Sequence, residues 1–290
     1  MLSHVQVFCF LASYTLALLL EASRLWFRRG GAGRLLALGL VVAGWIAHSA
    51  FLYYAAEHAN GSPLSSYRDW MLLAAWALVL VYFYLACFHP AQNFGIFFLP
   101  LVLGLIAAAH WLAKAEPFPR GPASQVWGVI HGTSIMAATV TVLFSFAAGV
   151  MYLWQAQRLK HKRPARVALR LPSLEWLQTA NARALVASML LVGLAVASGM
   201  VLNLLSQSPG VPWSDPVVLG TLAMFGWLLL HVIIGAFYRP MRQGRKVAYL
   251  TLVSFGFLVL ALALGMLKTK HGGEEQKQFI DLQNSNATRL

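Results

Sequence analysis

The stretch Trp127-Gly-Val-Ile-His131 opens an apolar run that continues through Tyr152-Leu-Trp154 and ends among Arg158, Lys160, Lys162, Arg163, Arg166 and Arg170. A run of this length is too long for an ordinary core helix and long enough to cross the ~30 Å hydrocarbon layer of a bilayer. Short loops rich in Lys and Arg resist translocation, so the basic end of the segment belongs in the cytoplasm. His131 then stands near the outward boundary of the membrane. The direction of every other segment follows from this one.

Composition agrees with a membrane origin. The chain has 290 residues, of which 59% are hydrophobic and only 11% charged. A soluble fold dresses its surface with roughly a quarter charged residues. The net charge of +13 would suit nucleic acid, but the cations lie between apolar runs, mostly on one side, with no aromatic-interleaved basic face. The charge sets topology and attracts anionic membrane lipid, and no nucleic-acid partner is expected. Cys9 and Cys87 both fall within apolar runs and form no Cys-x-x-Cys. That leaves no dithiol redox site and no covalently attached c-type haem. The amino terminus lacks the basic region and small-residue site of a cleaved signal peptide.

Eight apolar segments can be marked, at about Val5–Phe27, Leu35–Ala56, Trp70–Phe88, Phe94–Ala113, Trp127–Ala156, Ala184–Leu205, Pro216–Tyr238 and Val247–Leu267. Backbone groups find no water in hydrocarbon, so each must be a helix. The predicted fold is all-α, a polytopic transmembrane helix bundle of about eight spans.

Counting cations by side fixes its orientation. With the amino terminus outside, the inward loops hold Arg24, Arg28, Arg29, Arg34, then Arg158, Lys160, Lys162, Arg163, Arg166, Arg170, Arg183, then Arg239, Arg242, Arg245 and Lys246. The outward loops hold Arg68, Lys114 and Arg120. Fifteen against three, leaving aside the carboxyl-terminal tail, places both termini outward. One transmembrane domain is expected over residues 1–271, followed by a polar, mobile outward tail over residues 272–290. The expected location is a bacterial cytoplasmic (inner) membrane.

Nine histidines in such a chain repay sorting by depth. His4, His58 and His161 lie in loops or at the terminus and His89 at an inner helix end, where solvated or interfacial side chains are ordinary. His48, His110, His131 and His231 fall within spans, where an ionisable side chain is costly and marks a candidate site. A histidine hydrogen-bonded between helices is the competing explanation for any one of them. Imidazoles from separate helices are also the usual axial clamp for haem iron. Depth gives an outer pair, His131 with His271, and an intramembrane pair, His48 with His231. Trp127 and Trp213 sit on the outward side, where they could cover a haem face or simply anchor at the interface.

Several ordered pieces resemble the cytochrome c assembly membrane proteins of the CcsA/HemX type, over most of the chain from about Gly44 to His271. They are Gly44-Trp-Ile-Ala-His48, Ser62-Pro-Leu-Ser-Ser-Tyr67 with Trp76 in the following helix, the Trp127–Lys160 segment, Leu171-Pro-Ser-Leu-Glu175, Trp227 with His231, Gly244-Arg-Lys-Val-Ala248, and His271. The resemblance implies a non-covalent b-type haem with iron held by His131 and His271 at the outer face. It also implies that His231 is an intramembrane ligand or haem-channel residue with His48 as its partner. One departure stands out. The family's Trp-rich outward loop reads here Ser208-Pro-Gly-Val-Pro-Trp213-Ser-Asp215-Pro216, a Trp-x-Asp-Pro remnant.

Three functional classes follow. The first is a haem-handling protein of cytochrome c maturation, presenting haem outside to an apocytochrome c, with catalysis, if any, shared in a haem-ligating system. The second is a HemX-like membrane regulator or scaffold that binds a haem-synthesis enzyme or a respiratory assembly. The short Trp-x-Asp-Pro loop favours it. A haem-bearing electron-transfer subunit ranks below both, because such bundles usually carry paired histidines on two helices and here each helix holds one. A transporter would show matched Gly/Pro-broken spans, and none is apparent.

Overall fold

A computed structural model describes residues 7–23, 31–57, 66–113, 125–161, 169–205, 212–237 and 245–266. The described residues form eight helices: α1 (Val7–Ser23), α2 (Gly31–Glu57), α3 (Tyr67–Phe88), α4 (Gly95–Trp111), α5 (Gln125–Lys160), α6 (Leu174–Leu205), α7 (Pro216–Phe237) and α8 (Arg245–Met266). Six of them are long and apolar enough to cross a membrane, while α1 and α4 have 17 residues each. That is the lower limit of the ~17–25 residues a span requires. The chain is an all-α, multi-pass membrane protein.

The helices close into two rings of four. In the first, α1 packs on α2, α2 on α3, α3 on α4 and α4 back on α1. In the second, α5, α6, α7 and α8 close in the same way, with α6 also touching α8. The rings meet where α3 and α4 lie against α5. With 36 residues α5 extends about 54 Å at 1.5 Å per residue, well beyond the hydrocarbon, and it carries Arg158 and Lys160 in its last turn.

The sixth helix begins ten residues before the expected Ala184, at Leu174. Ser173 starts it, its Oγ accepting from the Trp176 amide at 3.2 Å. Glu175, Gln178, Asn181 and Arg183 dilute the apolar signal of these turns, which nevertheless bury Leu177 and Asn181 on one face.

Polar side chains inside the second ring find each other across helix pairs, as hydrocarbon requires. Ser145 on α5 donates to Asn181 Oδ1 on α6. Asn181 Nδ2 donates in turn to Thr251 Oγ1 on α8 at 2.9 Å, and Thr251 donates to the Val247 carbonyl at 2.8 Å. Ser188 Oγ and Thr141 Oγ1 lie 3.0 Å apart higher up the α5–α6 seam. Close approach is bought by glycine. A Cβ on Gly149 would stand 3.4 Å from Thr251 Cβ, and one on Gly132 would stand 2.4 Å from Trp70 Cζ2 of α3. Phe146 stacks on Phe255 at 4.0 Å between α5 and α8.

At the inward end a second join ties the rings. The Asn93 amide donates to the Arg170 carbonyl at 2.9 Å, and the Arg170 amide returns to Asn93 Oδ1 at 3.2 Å. Trp176 packs on Phe94 and His89 beside it, at ring separations of 6.0 and 5.4 Å.

Gly132→Ala should destabilise the detergent-solubilised protein by roughly 1–3 kcal/mol, because the indole edge of Trp70 occupies the space of the new methyl. Combining it with Trp70→Leu should recover most of the loss in thermal or SDS unfolding, and equal losses in the single and double variants would refute the contact.

Candidate functional site

The outward ends of α3, α5, α6, α7 and α8 gather the residues of interest. His131 lies in the second turn of α5 and faces the last turns of α6. Its Nδ1 lies 2.8 Å from the Ala195 carbonyl oxygen and 3.5 Å from Ser198 Oγ. A carbonyl only accepts, so the bonded neutral ring carries its hydrogen on Nδ1 and its lone pair on Nε2. Histidines that ligate metals are commonly oriented this way, by donation from the other ring nitrogen to a backbone carbonyl. The ring rests on Gly199, where a Cβ would come within 2.9 Å of Cε1.

The tryptophans of this face differ in setting. Trp127, one turn before His131 on the same face of α5, is 37% exposed. Trp213 is 54% exposed, held out by a turn in which the Asp215 amide donates to the Pro212 carbonyl at 2.9 Å. Asp215 folds inward from that turn and is 3% exposed. Its Oδ1 accepts from the Val217 amide at 2.8 Å, capping α7 where Pro216 opens the helix.

His231 and His48 do not come together. The former is on α7, which packs on α6 and α8, and the latter is on α2, which packs on α1 and α3. His48 is wholly covered (0% exposed), its ring lying flat on Phe10 at 4.2 Å and edge-on to Tyr14 at 6.3 Å. It makes an aromatic contact in the α1–α2 seam, and neither ring nitrogen has a hydrogen-bond partner among the described residues. His231 is half-buried, and its Nδ1 likewise has no hydrogen-bond partner among them. His110 packs edge-on to Phe8 at 5.5 Å. His271 lies outside the described residues, so the expected outer pair can be followed only from the His131 side.

Among the described residues no three His, Cys, Asp or Glu side chains converge as a metal cage would need. His131 instead offers a single oriented imidazole, the kind of donor that serves haem iron, which takes one or two axial ligands from protein. The donor chemistry fits haem at His131. At His48 the enclosing Phe10 and Tyr14 rings fit it poorly.

Sequence reading did not single out Asp215 or Tyr67 as site residues. Tyr67, the first residue of α3, reaches the last turn of α8, where a Cβ on Gly265 would be 3.4 Å from its Cε1. The signals that could have found them are the capping pair Ser66 and Asp69 at the start of α3 and the Asp-Pro opening of α7.

Fold and site together define a multi-pass helical membrane protein with an oriented histidine at its outward face. Residues 64–268 match the family described as "Cytochrome C assembly protein". The chain belongs to that family. It is also 27% identical over 150 residues to protein HemX of Brevibacillus brevis, covering 49% of this chain and 53% of that one. The match therefore spans about half of each protein. No solved structure gives a significant match.

Gly199→Ala should push the His131 ring away from the Ala195 carbonyl and lengthen the 2.8 Å contact. Nitrogen-15 spectra of histidine-labelled protein should report the Nδ1–H tautomer in the parent and a mixed population in the variant. An unchanged spectrum would mean that the glycine does not hold the ring.

Proposed function

We propose that the protein handles haem at the outward face of a bacterial cytoplasmic membrane, during cytochrome c maturation. The observation that carries this reading is the orientation of His131. Its Nδ1 engages the Ala195 carbonyl, so Nε2 would be the coordinating atom, at the membrane end that the positive-inside rule turns outward. Membership of the cytochrome C assembly family supports the same cofactor.

His131 would supply one axial ligand and His271, emerging after α8, the other. Trp127 and the exposed Trp213 would cover the group with apolar surface, and His231 would lie deeper on the route. Haem, when bound non-covalently as b-type, supplies the vinyl groups that an apocytochrome would receive. This chain's own residues contribute ligation, orientation and exclusion of water. Partner membrane proteins of an assembly system would share the task.

A second reading has its own support. The outward connection between α6 and α7 is short, Ser206–Asp215, and the similarity to HemX covers about half of that protein. Both favour a non-enzymatic regulator or scaffold of haem synthesis or of a respiratory assembly.

Haem content and visible spectrum of the detergent-purified protein test the first reading. A haem band is expected, with affinity falling on the order of 100-fold in His131→Ala and in His271→Ala. A colourless parent that takes up no added haem would refute it. Loss of c-type cytochromes on gene deletion is expected on the first reading. Intact c-type cytochromes with an altered level of a haem-pathway enzyme would favour the second.

A further inference from the structure

The inward join between the rings carries more positive charge than it uses. Arg158, in the last turn of α5, donates from Nη1 to the Leu169 carbonyl at 3.1 Å. A neutral carbonyl takes one of the five guanidinium N–H groups and cancels none of the charge. Arg170 stands next in the chain and is exposed, while its backbone is held by Asn93 in two bonds of 2.9 and 3.2 Å. The Arg158 guanidinium is thus fixed one residue from the root of a second. Asn93, 4% exposed, leaves its Nδ2 without a hydrogen-bond partner among the described residues, a further donor at the same join. The described acids at this end are Glu21, buried in the first ring, and Glu175, exposed on the first turn of α6. The surplus is positive and made of donors, and its complement is an anion.

One turn deeper the surface changes from cationic to aromatic. Trp154 lies four residues before Arg158 on the same face of α5 and is 52% exposed. Phe97 on α4 meets it edge to face at 6.2 Å. From Phe97 the same face of α4 runs through Leu101 to Gly104, where nothing stands within 4 Å of a Cβ position. Cation, indole and open apolar face follow one another in the order of a phospholipid: charged head, interface, hydrocarbon chain. A free anion would match the first of these steps alone.

We propose that an anionic phospholipid of the inward leaflet binds at this join, with its phosphate on Arg158 and Arg170 and an acyl chain along Trp154, Phe97 and the open face of α4. Guanidinium suits the phosphate because its planar fork donates two N–H bonds to two of the oxygens. The lipid braces α4 against α5 from outside, where α4 meets that helix more lightly than α3 does. The site lies at the opposite end of α5 from His131, and nothing in it depends on the haem reading.

The test follows thermal unfolding of the full-length protein in detergent as lipid is added. Phosphatidylglycerol should raise the midpoint in a saturable way, and phosphatidylcholine, whose headgroup is neutral overall, should not. Arg158→Gln and Arg170→Gln should each weaken the apparent affinity about fivefold, and the double variant about 25-fold. Arg170→Gln keeps the backbone bonds to Asn93, so it reports on the lipid even if Arg158→Gln loosens the contact with Leu169. Arg183→Gln removes an exposed cation of α6 at the same end and should leave the affinity unchanged. A parent that phosphatidylcholine stabilises equally, or an unchanged affinity in the double variant, would overturn the site. Equal weakening by Arg183→Gln would reduce it to general surface charge, and an equal shift with inorganic phosphate would make the ligand a free anion; either result overturns the lipid.

Discussion

The α5–α6 seam is the constraint on which the rest of the molecule depends. In hydrocarbon a polar side chain has no solvent to fall back on, so a partner on its own helix or the next is strongly favoured. Here the partners descend on α6 as they ascend on α5: residue 131 meets 195 and 198, residue 141 meets 188, and residue 145 meets 181. A slip by one residue would break all of these contacts together. The seam therefore has a single register, and the orientation of His131 is part of it. Each such bond contributes only ~0.6–2 kcal/mol in a membrane setting, so the specificity of register matters more than the sum.

Glycine makes the close approach possible where polar contacts set the register. Gly132, Gly149 and Gly199 lie on the α5 and α6 faces that meet Trp70, Thr251 and His131. At Gly132 and Gly199 a neighbour's side chain fills the space that a Cβ would take, while at Gly149 a Cβ would sit in ordinary contact with Thr251. Apolar side chains lose little by facing lipid, so what draws these helices together is close packing and matched polar groups. The first ring is built differently. It relies on aromatic contacts, Phe10 on His48 and Trp45 on Trp76, with Trp76 Nε1 donating to Ser49 Oγ at 2.8 Å.

Height in the membrane was legible in the sequence, and azimuth was not. Hydropathy and the placement of Lys and Arg located the helices closely, because length and charge are one-dimensional properties. The start of α6 escaped, since Glu175 and Arg183 are exposed and Gln178 is half-buried, while Leu177 and Asn181 turn inward. Depth also paired His48 with His231, yet depth says nothing about which neighbour a helix turns toward. The short inward connection between α1 and α2 makes them adjacent, and His48 packs on Phe10 as a result. The bond from His131 to Ala195 had no signature either, because every residue carries a carbonyl. The Asp-Pro opening of α7 could have marked Asp215 as a helix cap, but its burial depends on how the outward turn folds.

How the two rings dock decides which histidine can work at the outer face. His131 is in the second ring, on the helix that contacts both α3 and α4 of the first, so its position is set from two sides. His231 sits on α7, which has no major contact with the first ring, and His48 is enclosed within that ring. A ligand-bearing side chain needs one nitrogen held and the other presented, on a backbone that does not drift. Of the described histidines proposed as ligands, His131 alone combines a carbonyl anchor, a glycine bed and a helix braced by the opposite ring. On the haem reading the second ring would carry the ligand, while Trp70 of the first ring packs on Gly132 beside it.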